Sequence, residues 1–159
     1  MTIIASTRPP VSLSGQSITE RVFRDLGGRE DEPALIDGPT GRVLTVGALT
    51  EGIRRLAGGL TERGYAPGRV IAILAPNLPE YAVVFHAVAW AGGTLTTINP
   101  TYTAAEVAFQ LKDSGAELLI TVPPFLETAR AAVEGTAVRE IPYFRGPAGD
   151  FFVGGRDSH

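Results

Sequence analysis

The sequence of 159 residues contains no cysteine. Without a thiol, the chain cannot form disulfides, provide a thiolate nucleophile or build a cysteine-type zinc site. Histidine is almost as scarce, since only His86 and His159 occur. Because nitrogen and sulfur ligands are so few, we expect no transition-metal site in this chain.

Lysine is also rare, because only Lys112 among the fourteen basic residues is a lysine. A Walker A phosphate loop needs a Gly-Lys pair, and Lys112 follows Leu111 inside a predicted helix, so that loop is absent. The loop after the first predicted parallel strand, residues 75–79, has no GxGxxG fingerprint. The net charge is −3 and no basic cluster exists, so we expect no nucleic-acid partner.

Long hydrophobic runs are missing as well. The longest, Tyr81 to Ala91, is interrupted by His86 and is too short to cross a bilayer. Residues 1–15 lack a basic region, and Pro9 and Pro10 break their short apolar stretch, so they do not resemble a signal peptide. We therefore expect no membrane partner and a cytoplasmic location.

The first half of the chain predicts an arm, a helix, a hairpin and a second helix. Residues 1–16 read as a flexible arm, and residues 17–26 as a short helix. Two short apolar runs, 33–37 and 42–45, flank a Gly- and Pro-containing turn and predict a β-hairpin. Apolar residues then recur at helical spacing after the predicted N-cap Thr45, and they are Val46, Leu49, Ile53, Leu56 and Leu60.

The second half alternates between strand and helix patterns. A continuous apolar run predicts a strand buried on both faces at 70–75, and two further strands are predicted at 94–98 and 117–121. Helices are predicted at 78–91, from Thr103 to about Gly115, and after Pro123-Pro124, with capping boxes at Asn77–Glu80 and Thr103–Glu106. This order predicts an α/β fold with a parallel-sheet βαβαβα subdomain, preceded by a helix and a β-hairpin.

Few residues are candidates for a site. The helix N-termini marked by Asn77 and Thr103 could bind an anion, but ordinary helix capping is the favoured interpretation. For His86, a core or subdomain-interface histidine bonded to the backbone is favoured over a catalytic role. The sequence therefore assigns no catalytic residue, no cofactor-binding residue and no metal ligand.

Other polar clusters have ordinary interpretations. No GxSxG nucleophile elbow surrounds the serines of the arm, which are Ser12, Ser14 and Ser17. We expect the acidic cluster around the first helix to be solvated surface, and its members are Glu20, Asp25, Glu30, Asp31 and Glu32. Residues 142–159 mix glycine with aromatics without a period, so we expect an irregular tail and only weak similarity to an RNA-binding arm.

The order of motifs resembles the opening of the adenylate-forming enzymes. The similarity begins at 33–37 (PALID) and 44–45 (LT), and continues through 70–80 (VIAILAPNLPE). The most specific stretch is 89–103 (AWAGGTLTTINPTYT), followed by 111–121 (LKDSGAELLIT). This run resembles the 4-coumarate–CoA ligase and luciferase-like branch, and the resemblance covers residues 17–141.

The resemblance implies a fold and a reaction. It implies that residues 17–141 are half of a larger layered N-terminal domain of an acyl-CoA ligase. Such ligases join a carboxylic acid to ATP with the help of Mg²⁺, and then pass the acyl group to coenzyme A. The family's Ser/Thr/Gly-rich phosphate loop, which ends in Pro-Lys-Gly, does not occur in this sequence. We expect no cofactor for this chain alone, with ATP, Mg²⁺ and CoA implied for the full-length family.

Three functions remain open from the sequence. The first is an N-terminal ligase fragment, inactive alone, whose partners are the missing ligase subdomains or another copy through an exposed apolar face. The second is a stand-alone binding or regulatory module that pairs with a ligase-like partner. The third is a small nucleotide- or carboxylate-binding protein that uses the carboxyl ends of its parallel strands.

Overall fold

The computed structural model describes Arg8, residues 15–65 and residues 67–144. The expectations for residues 1–7 and 9–14 of the arm and for 145–159 of the tail lie outside these ranges. The helices are α1 (Ile18–Phe23), α2 (Val46–Glu62), α3 (Pro79–Trp90), α4 (Ala104–Ser114) and α5 (Leu126–Ala132). The strands are β1 (Pro33–Ile36), β2 (Val43–Thr45), β3 (Val70–Leu74), β4 (Thr94–Ile98) and β5 (Leu118–Thr121). A short 3-10 helix, Pro123–Phe125, precedes α5.

The three long strands form one parallel sheet in the order β4-β3-β5. Residues of β3 pair in register with both neighbours, so that Ile71, for example, lies opposite Leu95 of β4 and Leu118 of β5. The continuous apolar run of β3 suits this central place, because a parallel strand is covered by helices on both faces. The α/β fold class that the sequence predicted is confirmed.

The core lies in two layers, one on each face of this sheet. Ile71 and Ile73 point into the first layer, which also contains the apolar faces of α2 and α3. Ala72 and Leu74 point into the second layer, with residues of α4 and α5. The predicted apolar face of α2 is confirmed, because every member of it is buried: Val46, Leu49, Ile53, Leu56 and Leu60. The alternation of strand side chains thus joins two helical layers into one molecule.

A further segment of chain covers the outer side of β5. The amides of Leu119 and Thr121 donate to the carbonyls of Glu140 and Pro142, so the chain here runs parallel to the strand. Phe144 is buried at the end of this segment. The sequence had assigned residues from 142 onward to an irregular tail, but residues 142–144 extend the sheet. A period-based analysis missed them because two bridges are too short to leave a strand pattern.

The β-hairpin is a separate antiparallel pair of β1 and β2. Leu44 points inward and is buried, whereas Ile36 and Val43, which face each other across the strands, are exposed. Two strands alone are marginally stable, so the hairpin depends on its contacts with the helices. One of these contacts is an ion pair between Arg42 and Glu80 at the start of α3.

Helix boundaries follow local capping chemistry. Ser17 with Glu20 and Thr103 with Glu106 form complete capping boxes for α1 and α4, and the second of these was predicted. Helix α4 ends at Gly115, whose φ of 64° is left-handed backbone that favours glycine. Helix α1 ends at Phe23, three residues before the predicted end at Leu26. The short amphipathic pattern did not define that boundary.

The predicted capping box at Asn77–Glu80 is wrong. Helix α3 begins one residue later, with Leu78 as its N-cap and no side-chain cap. Pro79 takes the first helical position, where its fixed φ fits and its missing amide is no loss. Glu80 turns inward instead: Arg42 Nη2 donates to its Oε2 at 2.8 Å and lies 2.6 Å from its Oε1.

We expect Glu80→Gln to lower the free energy of unfolding by roughly 2–4 kcal/mol, since removing one partner leaves a largely buried Arg42 charge uncompensated. Urea denaturation measures this loss. The matched control is Glu32→Gln, which breaks the exposed Arg29–Glu32 pair, and we expect it to cost less than about 1 kcal/mol. Equal small losses in both variants would contradict the idea that the Arg42–Glu80 ion pair holds the hairpin against α3.

Two glycine-to-alanine substitutions are expected to act with opposite signs. Gly58→Ala lies on the exposed side of α2, where an added Cβ meets no described atom within 4 Å, so we expect a gain of about 0.5–1 kcal/mol. Gly115→Ala forces a side chain into left-handed backbone and should cost about 1–2 kcal/mol. Thermal unfolding of both variants checks the signs, and stabilisation by Gly115→Ala would rule out the αL helix end.

Candidate functional site

The carboxyl ends of the parallel strands are the first place to look for a site. Helix α3 follows β3 on one face of the sheet, and α4 follows β4 on the other face. Helices that leave neighbouring strands in opposite directions open a crevice between the two loops. In this chain the loops are residues 75–78 after β3 and residues 99–103 after β4.

Two polar side chains at this end of the sheet, Asn99 and Thr121, are engaged within the chain. Asn99 Oδ1 accepts from the amide of Thr101 at 3.0 Å and from its hydroxyl at 2.9 Å. The buried Thr121 hydroxyl donates to the carbonyl of Leu74 at 2.7 Å. These bonds shape the loops and tie β5 to β3. Neither side chain is therefore free to act on a ligand.

A groove of about 490 Å³ lies beside the crevice, between the hairpin and α3. Its hairpin wall is formed by residues 35–39, and its helix wall by Asn77 to Pro79 together with Tyr81, Ala82, Phe85 and His86. Most of these side chains are apolar, and Asp37 is the charged carboxylate among them. Asn77 and His86, which the sequence singled out separately, therefore line one groove.

His86 holds α1 against α3. The Nδ1 atom of His86 lies 3.1 Å from the hydroxyl of Thr19. The same hydroxyl donates a hydrogen bond to the backbone carbonyl of His86 at 3.2 Å. Phe23 and Phe85 pack edge-on against the imidazole, with ring centroids 4.8 and 5.1 Å away. Burial lowers the pKa of His86, because desolvation disfavours the imidazolium. The sequence analysis expected the imidazole to bond to the backbone, but the ring bonds to the Thr19 hydroxyl instead. The packing of His86 between two helices agrees with the favoured interpretation of a structural histidine.

Thr103 is an ordinary helix cap, as the favoured interpretation held. Its hydroxyl accepts from the amide of Glu106 at 3.4 Å, and its own amide donates to Glu106 Oε2 at 2.8 Å. Two hydrogen bonds from Thr103 lower the pKa of Glu106. The bond from the amide has the larger effect, and the bond from the hydroxyl the smaller one. A carboxylate therefore occupies the N-terminus of α4, where an anionic ligand would otherwise bind.

The remaining candidates also have structural roles or lie outside the described ranges. Lys112 is exposed in the last turn of α4, and Ser17 caps α1. The acidic cluster is exposed as expected, and its members make local bonds such as Glu30 to the amide of Gly28 and Glu32 to Arg29. Ser12, Ser14 and His159 are not among the described residues.

Two classes of site find no support in the described part of the chain. Within it, no group of three histidine, aspartate or glutamate side chains is placed to hold a metal ion. Among the same residues, none of the helices is both long and apolar enough to cross a membrane.

The sequence did not predict the groove or the Arg42–Glu80 pair. A usable signal was present, because Glu80 is the one carboxylate in a helix that otherwise reads as buried. A buried carboxylate requires a cation or several donors, but the sequence does not show which arginine supplies it. Only the fold brings the hairpin turn next to the start of α3.

Comparison with known proteins matches this α/β architecture to one family. The AMP-binding enzyme family matches residues 22–145. The 4-coumarate–CoA ligase 4 of Arabidopsis thaliana is 42% identical over 108 residues, which are 65% of this chain and 19% of that protein. The 4-coumarate–CoA ligase 5 of Oryza sativa subsp. japonica is 40% identical over 116 residues, or 73% of this chain and 21% of that protein.

Solved structures agree with the sequence relatives. A benzoate–CoA ligase from Burkholderia xenovorans LB400 superposes with a TM-score of 0.76 at 25% identity, covering 84% of this chain and 27% of that one. A long-chain-fatty-acid–CoA ligase from Archaeoglobus fulgidus shows the same fold, with a TM-score of 0.78 at 22% identity and coverage of 87% and 29%. The chain spans about a fifth of the length of the curated relatives it matches. The family match, the sequence relatives and the shared fold together show that the chain belongs to the AMP-binding enzyme family.

Proposed function

We propose that this chain forms the N-terminal part of an ATP-dependent carboxylic acid–CoA ligase. In that reaction the acid attacks ATP to give an acyl adenylate and pyrophosphate, and CoA then displaces AMP to give the thioester. The observation that carries the proposal is the 42% identity to a 4-coumarate–CoA ligase over 108 residues. That stretch contains the run 89–103, the most specific resemblance in the sequence.

In this proposal the described residues supply scaffold rather than reacting groups. The helix N-terminus at Thr103 is occupied by Glu106, and Glu80 is committed to Arg42. No cluster of described carboxylates is placed to hold Mg²⁺, so we assign neither the metal nor ATP to residues of this chain. The sequence also lacks the family's Pro-Lys-Gly phosphate loop. The chain alone is therefore expected to be inactive, and the reacting groups come from the remainder of a ligase.

The acid substrate is proposed to be aromatic. The support comes from sequence relatives, several of which are named 4-coumarate–CoA ligases. The fold does not decide between acids, because a benzoate–CoA ligase and a long-chain-fatty-acid–CoA ligase share it. The proposal includes a cytoplasmic site of action, because the reaction consumes ATP and CoA.

A chimera tests the proposal. The matched 108-residue region of the Arabidopsis relative is replaced by the aligned residues of this chain, and thioester formation from 4-coumarate, ATP and CoA is followed by absorbance. We expect the chimera to form the thioester and the 159-residue chain alone to form none, because only the chimera contains the phosphate loop.

The matched control is the same chimera with Glu80→Ala, which disturbs the attachment of the hairpin without changing any loop of the relative. We expect this variant to have a lower Tm than the unsubstituted chimera but the same activity per folded molecule. A folded but inactive unsubstituted chimera would contradict the proposed function, and thioester formation by the chain alone would contradict the scaffold role.

A further inference from the structure

The groove between the hairpin and α3 leaves apolar side chains uncovered among the described residues. Two large ones that line it are exposed, Ile36 on the hairpin at 66% and Phe85 on α3 at 38%. Leu35, Leu78 and Tyr81 in its walls are only partly buried. No described residue fills the hollow of about 490 Å³. Apolar surface that is concentrated in this way marks a site that another group covers.

The described chain ends on the same side of the sheet as this groove. Phe144, the last described residue, is buried in the core layer against which Leu35, Leu78 and Tyr81 pack. Its segment runs parallel to β5, which lies next to β3, so the segment is two strand spacings from β3, or roughly 10 Å. Phe144 and the start of α3 therefore both lie at the carboxyl end of the sheet and on one face of it.

The chain continues from this point with residues 145–159, which lie outside the described ranges. Their sequence is RGPAGDFFVGGRDSH. It contains one large apolar run, from Phe151 to Val153, which is followed by two glycines and Arg156. The match to the AMP-binding enzyme family ends at residue 145, so this run is not part of the matched region.

The apolar run is long enough to reach the groove and complements it chemically. Phe151 follows seven residues after Phe144, and an extended chain covers about 3.3 Å per residue, which gives a reach of roughly 23 Å. Two adjacent phenylalanine rings provide large apolar surfaces for the hollow. Asp37 is the charged carboxylate among the groove residues, and Arg156 carries the opposite charge, in a side chain well suited to bind a carboxylate.

We propose that the groove is the docking site for residues 151–156 of the chain's own tail. Phe151 and Phe152 pack between the hairpin and α3, and Arg156 pairs with Asp37. This inference goes beyond the proposed function, because it concerns a segment outside the family match. The docked tail removes apolar surface of the groove from water, which lowers the tendency of the chain to associate through that surface.

Disulfide trapping tests the docking, because the chain has no cysteine of its own. Gly38→Cys and Gly155→Cys place thiols next to the proposed Asp37–Arg156 pair, and at position 38 an added Cβ meets no described atom within 4 Å. The rate of intramolecular disulfide formation is measured under mild oxidation. We expect this rate to be about 10-fold higher than in the matched control, because docking raises the effective concentration of the two thiols.

The matched control carries the same two cysteines together with Phe151→Ser and Phe152→Ser. These changes remove the apolar anchor but leave the length of the tail unchanged, so any difference in rate reports docking rather than reach. In the cysteine-free chain, the same two serines are expected to increase the binding of an apolar dye, because they uncover the groove.

A charge substitution tests the ion pair separately. Arg156→Gln removes the proposed partner of Asp37, and we expect it to slow disulfide formation about two- to fivefold, the effect of an exposed ion pair. Arg145→Gln removes the same charge beside Phe144, before the apolar run, and is expected to leave the rate unchanged.

Each outcome supports or overturns the docking. Equal rates with and without the two phenylalanines overturn it. A disulfide that joins two chains, at a rate that rises with concentration, assigns the groove to a second copy and overturns it as well. Faster trapping of Gly38→Cys by Ser6→Cys than by Gly155→Cys assigns the groove to the N-terminal arm, with the same consequence. Thioester formation plays no part in these measurements, so a failure of the proposed function would leave them unchanged.

Discussion

The whole described structure depends on the burial of residues 71–74 of strand β3. This strand is the central one of the three-stranded sheet, with β4 and β5 on its two sides, and its residues 71–74 have no measurable exposure. Ile71 and Ile73 join the layer of α2 and α3, while Ala72 and Leu74 join the layer of α4 and α5. Each of the buried isoleucine and leucine side chains contributes about 1.5–3 kcal/mol by leaving water. A polar or small residue here would weaken both layers together.

This central strand also explains why the carboxyl edge of the sheet is built for support. Thr121 is buried beside β3, and its hydroxyl donates to the carbonyl of Leu74. The side chain of Asn99 accepts from the amide of Thr101 in the turn before α4. Groups that are satisfied inside the chain are held in place, but they are not free to bind a substrate. These bonds therefore fix the shape of the two loops at the carboxyl ends of the strands.

Much of the fold could be predicted because its signals are local. The apolar run of β3, the spacing of Leu49, Ile53 and Leu56, and the Thr103–Glu106 box each follow from residues close in sequence. The failures involve distant partners. Glu80 has the correct spacing for a cap, but the cation that attracts it, Arg42, is 38 residues away. Likewise, the pairing of Glu140 with β5 leaves no periodic pattern, and the groove exists only because the hairpin meets α3.

The hairpin and β4 each leave one strand surface uncovered among the described residues. In the hairpin it is the side-chain face of Ile36 and Val43, and in β4 it is the outer backbone edge. The hairpin is held by the buried Leu44 and by Arg42, which together anchor one of its faces, while Ile36 and Val43 stay exposed on the other. The sheet is held at β5 and left open at β4. Both incomplete surfaces are apolar or uncharged, so each would bury more apolar area in a larger assembly than it buries here. The described core is therefore complete where the chain's own helices meet the sheet, and these two strand surfaces lie outside it.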